Sequence, residues 1–307
     1  MKPDRGHETR KEEITGPRVY HAAKGGAEEV RKMKPGWKVS GIGGFRCSWL
    51  LIAMLVACPA QAADAPARTE SQLQAAAVLK SMAEYLAVLT AFSCTSTNRF
   101  EAVQADGQRI EFGETRQISL ARPDRLRIDE VASDGTSDLA LFDGKQITVL
   151  SADDNVYAQA PQPPSIEDAL VYFVRDLRMR MPLALLVSTH VRTELPTLAK
   201  EIDYVESTQI RNQTAHHLAG RGDSVDFQIW IAEGTSPLPL RIVITYKLAT
   251  GQPRFAADFS DWNISPKFSG NTFQFSLPQG ARKIPFAVQL LAPDAAPQAA
   301  AAGEVKP

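Results

Sequence analysis

A mainly β fold with some α, built on an antiparallel sheet of about ten or eleven strands with one N-terminal helix, is the fold class this sequence predicts. Two observations carry it. Asp-Gly and Asp-Asn turn signals at Asp106-Gly107, Asp134-Gly135, Asp143-Gly144 and Asp154-Asn155 punctuate β-branched runs at short, regular spacing. That is the punctuation of an antiparallel meander rather than of βαβ units. The stretch 225–247 gives the second: Val-Asp-Phe-Gln-Ile-Trp-Ile, a Gly-, Ser- and Pro-rich connection, then Leu-Arg-Ile-Val-Ile-Thr-Tyr-Lys. It reads as a strand pair with Phe227, Ile229 and Ile231 on one face and Leu240, Ile242, Ile244 and Tyr246 on one face of the return strand.

In chain order, residues 1–32 are charged and aperiodic, and a secretory leader follows. Lys34, Lys38 and Arg46 precede an apolar core of about ten residues beginning at Trp49, too short to span a bilayer. Small residues surround Ala60-Gln61-Ala62. Residues 1–62 are therefore expected to be a start assigned too early plus a Sec signal, with translation beginning at Met33. The favoured cut falls after Ala62 and delivers a periplasmic product. The alternative is lipidation at Cys58, where Leu55-Val56-Ala57-Cys58 resembles a lipobox, and only that route gives membrane contact.

Residues 63–71 are a linker, with Ser71 as the expected helix cap. Ala75, Val78, Leu79, Met82, Tyr85, Leu86 and Leu89 then recur at helical spacing. Strands are expected over 91–103, 108–122, from Leu126, and over 137–142, 146–150 and 156–160. Pro161 to Pro164 interrupts them. Ser165 should cap a helix running through Val174, and Pro182 should open a second short helix through Leu183, Leu185, Leu186 and Val187. Such short apolar helices either lid a cavity or seal a core. Strands resume near 201–210 and 216–220, followed by the pair already described, by Phe255, Ala257 and Phe259, and by the closing segment 273–280. The folded domain is placed at 72–288, and 289–307 is an Ala/Pro-rich tail too poor in bulky residues to fold.

Charge and cysteine content exclude several functions. Residues 1–62 hold 11 of the 34 basic and 6 of the 35 acidic residues, so the rest carries a net charge of −6. That argues against phosphate-backbone binding, and no nucleic-acid partner is expected. Only Cys94 survives leader removal, which leaves no internal disulfide and no cysteine metal site. His216 and His217 are adjacent, so on a strand they face opposite ways and cannot share a metal. No nucleophile elbow, phosphate loop or zinc-protease helix occurs, and Glu167-Asp168 reads as acidic residues complementing a helix dipole. The expectation is a protein that is not an enzyme and carries no cofactor or metal.

A family resemblance becomes specific on four features in order. These are Arg122-Pro123 after a strand, Asp143-Gly144-Lys145 in a hairpin, Trp230 with Pro239-Leu240-Arg241, and the closing Phe273-x-Phe275-x-x-Pro278-x-Gly280. Together they resemble the LolA-like half-barrel superfamily of lipoprotein carriers and receptors, and more closely a group of predicted periplasmic proteins of unknown function within it. The resemblance spans about 72–286. It implies a sheet curled into an open half-barrel with helices in its concave mouth, and a greasy interior that binds an acyl chain, lipid or lipoprotein anchor as carrier or sensor. It also implies Arg122 as a latch holding the lid. Candidate ligand-binding residues are Phe227, Ile229, Ile231, Ile242, Ile244, Phe255 and Phe259 from the sheet, with Leu183, Leu186 and Val187 from the lid. The insertion at 161–191 departs from the carrier pattern. An envelope protein–protein interaction module without a small ligand is therefore the alternative, with another envelope protein as partner.

Overall fold

A computed structural model describes residues 68–161, 165–176 and 181–286. The leader, the expected start at Met33, Cys58, most of the linker and the tail lie outside the described residues. The first element, α1 (Glu70–Val88), begins two residues earlier than a Ser71 cap would dictate. Thr69 caps it by accepting from the Gln72 amide at 3.2 Å, while the Gln72 side chain accepts from the Thr69 amide at 3.1 Å. This reciprocal box satisfies two of the otherwise orphaned first-turn donors. Ser71 instead bonds both backbone groups of Tyr204 and pins the helix to a strand 133 residues away. Ala75, Leu79, Met82 and Leu86 are buried as the helical spacing requires.

Among the described residues twelve strands make one sheet: β1 (Ala91–Val103), β2 (Arg109–Ala121), β3 (Arg125–Ala132), β4 (Ser137–Phe142), β5 (Gln146–Ser151), β6 (Val156–Pro161), β7 (Glu201–Ile210), β8 (Gln213–Arg221), β9 (Val225–Ala232), β10 (Pro239–Tyr246), β11 (Arg254–Asn263) and β12 (Arg282–Lys283). Their order is β12-β6-β5-β4-β3-β2-β1-β11-β10-β9-β8-β7. Each half is a meander, and the halves join where β1 pairs with β11. All neighbours are antiparallel except β12, which runs parallel to β6 for two residues. The sheet ends at β7 on one side and β12 on the other, so it is not closed into a barrel.

Between β6 and β7, after the break at Pro161, the described residues form three short helical pieces. They are α2 (Ile166–Val171) continuing into a π turn (Tyr172–Asp176), then α3 (Ala184–Val187), and α4 (Val191–Glu194) continuing into a 3₁₀ turn (Leu195–Thr197). Ser165 caps α2 as expected, accepting from the Asp168 amide at 3.1 Å. Pro182 does not open α3, whose N-cap is Leu183. These pieces and α1 share one apolar cluster with alternate residues of the strands, from Val149 and Ala158 at one side to Phe227 and Ile229 at the other. A flat sheet would hold β6 and β9 about 40 Å apart at the usual strand spacing. A shared core under a few short helices therefore requires the sheet to curl, and the helices fill its concave mouth.

The closing segment is not a strand at 273–277. It straps across the outer face. Arg127 Nη1 donates to the Thr272 carbonyl at 3.3 Å, and the Tyr157 and Phe275 rings lie 5.4 Å apart. The strap ends by pairing β12 with β6, and buried Phe286 joins the core.

Candidate functional site

Register decides which face of each strand looks inward. Ile242 opposes Ile229 and Ile244 opposes Phe227. Ala257 in turn opposes Ile242, and Phe255 opposes Ile244. These positions, with Ile231 and Phe259, lie on the face the helices cover. Leu183, Leu186 and Val187 join the same cluster from the cover, so the structure brings all ten candidates together. Phe227, Ile229, Ile231, Ile242, Phe255 and Phe259 are buried, while Ile244 and Leu183 are half-buried. Leu240 departs from the expected pattern. A register shift between Pro239 and Arg241 turns it outward, where it packs with Ala215, Ala232 and Trp230.

Arg122 directly follows β2 beneath the helices, and its side chain is only 11% exposed. It is therefore not a solvated strand-end charge. Its Nε donates to the Leu89 carbonyl at the C-cap of α1 at 2.9 Å. Its Nη1 lies 3.6 Å from Glu167 Oε1 on α2, and neither Nη atom has a hydrogen-bond partner among the described residues. Burial lowers the Arg122 pKa, with the Glu167 charge opposing the shift. That same Glu167 oxygen accepts from the Thr189 amide at 3.0 Å and the Thr189 hydroxyl at 2.8 Å, between α3 and α4. Burial alone would raise the Glu167 carboxyl. The two Thr189 bonds and the Arg122 charge outweigh it and hold the group below its ordinary value. Backbone bonds complete the junction, from the Arg122 amide to Thr90 and from the Ile166 amide to Pro123. From sequence, Glu167 reads only as a helix-dipole partner, and Thr189 is not singled out. An acidic residue in a first turn reads as a dipole partner, and its second use depends on a strand end 45 positions away.

The inner face is not apolar throughout. Following the pairing from β1 outward, Phe92, Leu120, Leu126, Phe142 and Ile147 form one cross-strand row. Cys94, Ile118, Ile128, Ala140 and Val149 form the next. The third row is polar: Ser96, Arg116, Glu130, Asp138 and Ser151. Arg116 bridges Glu114 at 2.7 Å and Glu130 at 2.8 Å, and Glu114 accepts from buried Asn98 at 2.9 Å. Burial pushes the Glu130 carboxyl up to about 7. Arg116 opposes the shift, and Glu114 and Asp138 add to it. Cys94, facing the same interior, is raised to about 12 by burial, with Asp261 adding to the shift, and is an inert thiol.

The two adjacent histidines face opposite ways, as alternation requires. His216 meets the Tyr204 hydroxyl at 3.1 Å, while His217 stacks on Trp230 at 4.1 Å on the outer face. Arg241 lies over the same Trp230 ring and pairs with Asp258 at 2.7 Å. Also on the outer face, an open groove of about 540 Å³ runs between β3–β5 and the strap, lined by Arg127, Asp129, Leu139, Leu150 and Gln274 among others. Among the described residues no cluster of His, Cys, Asp and Glu is disposed to hold a metal ion.

A profile of the family described as "Predicted periplasmic protein (DUF2092)" matches residues 75–287. No curated protein matches the sequence. Solved structures that align with the fold include the Mycobacterium tuberculosis lipoprotein LppX, at 14% identity over 64% of this chain and 99% of that one, with a TM-score of 0.43. LprF from Mycobacterium bovis aligns at 10% identity over 68% and 98%, with a TM-score of 0.42. The Pseudomonas aeruginosa MucA/MucB complex aligns at 14% identity over 66% and 61%, with a TM-score of 0.35.

Proposed function

The chain belongs to the DUF2092 family of predicted periplasmic proteins, and from that premise we propose that it is a non-enzymatic binding protein of the bacterial envelope. It takes a hydrophobic ligand (an acyl chain, a lipid or a lipoprotein anchor) between sheet and helices, as carrier or sensor. Sec export delivers it, with the Ala62 cut giving a free periplasmic form and Cys58 the site of an anchor in the alternative.

One observation carries this reading: the apolar rows of the inner face are covered by helices too short to hold themselves. The pieces α2, α3 and α4 have six, four and four residues. Isolated helices of fewer than roughly 12 residues are marginal in water, so this cover persists only through its contacts with the face beneath. An acyl chain offers the same apolar contacts, at about 0.8 kcal/mol per buried methylene, and can replace the cover piece by piece. Arg122, tying the end of α1 to the strand end, is the latch such an exchange would open.

The test is uptake of a fluorescent acyl probe, dansyl-undecanoic acid, by the folded protein. Binding with a blue shift is expected, and Arg122→Gln should bind faster. Ile244→Thr, at a half-buried position, should weaken retention. Ile229 is too deeply buried for a charged replacement to be informative. A probe that stays in water, in wild type and in Arg122→Gln alike, would sink the reading.

A second reading has an observation of its own in its favour. Six of the seven sheet candidates are buried in a packed cluster, and the helices already seal them. An interaction module for another envelope protein needs no opening at all. It predicts that the probe never enters while a partner co-purifies stoichiometrically.

A further inference from the structure

Three separate pieces of the cover converge on one atom. Glu167 Oε1 on α2 accepts from the amide and hydroxyl of Thr189, in the turn between α3 and α4. The same oxygen lies 3.6 Å from Arg122 Nη1, whose side chain holds the carbonyl end of α1. Arg122 and Thr189 share no bond of their own, so any communication between them at this junction passes through the carboxylate. Arg122 has its two Nη groups buried with no hydrogen-bond partner among the described residues, which makes it dependent on that nearby charge.

We propose that Glu167 is the positioning residue that makes the cover open as one unit. It couples α1, α2 and the α3–α4 turn to the end of β2, so that releasing any one piece loosens the others. This rests on the ligand-binding reading above and adds its regulation. A ligand that displaces one helix would then gain the whole inner face at once, and entry becomes a concerted event rather than a sequence of local frayings. Three independently held pieces would instead admit a thin chain at whichever piece is weakest. A carboxylate serves this role where an amide cannot. It accepts two hydrogen bonds from Thr189 while its negative charge offsets the buried guanidinium.

Hydrogen exchange followed by mass spectrometry decides it, on wild type, Glu167→Gln, Arg122→Gln, Thr189→Val and the Arg122→Gln/Thr189→Val pair. Glu167→Gln should speed exchange at the amides of Arg122, Ile166 and Thr189 together by about tenfold or more, the loss expected for charge-assisted bonds. Arg122→Gln should speed exchange at Thr189, which it does not touch. Thr189→Val, which removes only a hydroxyl, should speed exchange at Arg122. The double variant should do little more than either single change. Purely local effects, additive effects, or exchange rising equally in β9 and β10 would each overturn the proposal. The acyl probe, added in parallel, separates the two ideas. Coupled exchange without probe uptake leaves the clasp standing and removes the ligand, whereas probe uptake with uncoupled exchange does the reverse.

Discussion

Burial on the inner face disfavours the charged form of Glu130. It sits on the inner face with Asp138 directly opposite on β4, Arg116 opposite on β2 and Glu114 nearby on the same strand, and its carboxyl is raised to about 7. A carboxyl whose folded pKa exceeds its unfolded value binds its proton more tightly when folded. Stability therefore falls as pH rises from about 4.5 to about 7 and levels off above that. The slope from this one group is at most about 1.4 kcal/mol per pH unit. Urea melts of Glu130→Gln should show a flatter pH dependence in that window than wild type. An unchanged slope would assign the effect elsewhere. Ile229, 2% exposed in the centre of β9, makes a simpler prediction. Ile229→Ala should cost about 2–5 kcal/mol in the same melts through lost burial and a residual cavity. That residue was legible in the sequence because alternation names it. The polar row was not. In 109–118 polar residues occupy both phases of β2, so Glu114 and Arg116 look like outward residues until pairing with Asn98 and Ser96 fixes the face.

At the scale of the element, strands bounded by their own turn chemistry could be read directly. In the β4–β5 hairpin Asp143 Oδ1 accepts from the amides of Lys145 and Gln146 while Gly144 adopts φ 84°. A side chain at Gly144 would meet Asp124, so glycine is required there twice over. Elements defined by distant partners could not be read so easily. The two-residue β12 exists only because β6 offers an edge, and the bulge that turns Leu240 outward is set by pairing with β9. Pro182 carried a helix-start signal, yet α3 begins two residues later. The short helices also differ from the strands in how they are held. They have few internal bonds and depend on tertiary contact, so their amides should exchange at least roughly a hundredfold faster than those of β1, β2 and β10. Uniform protection across the chain would mean that the cover does not open separately. At the N-terminal helix, Thr69→Ala should cost about 1 kcal/mol, read as a shift of the urea midpoint, by removing the reciprocal cap.

Among the described residues the molecule is a curled sheet with two free edges, its mouth filled by short helices. Residues 63–307 carry a net charge of −6, which suits a protein that meets neutral or apolar partners rather than phosphate backbones. The fold class followed from turn spacing and alternation, because a meander is a local pattern. The half-barrel itself came from the family resemblance. What enters the barrel is not written in any local pattern, since the inner face is built from alternate residues of many strands and is assembled only when they pair. The central claim is that this face exchanges its helical cover for an apolar ligand. Native mass spectrometry of the protein exported to a bacterial periplasm and purified without detergent tests it most directly. A discrete added mass that disappears on solvent extraction, leaving the apo mass, is the predicted result. A single apo mass, unchanged when an excess of fatty acid is added and unchanged again in Glu167→Gln, would contradict it.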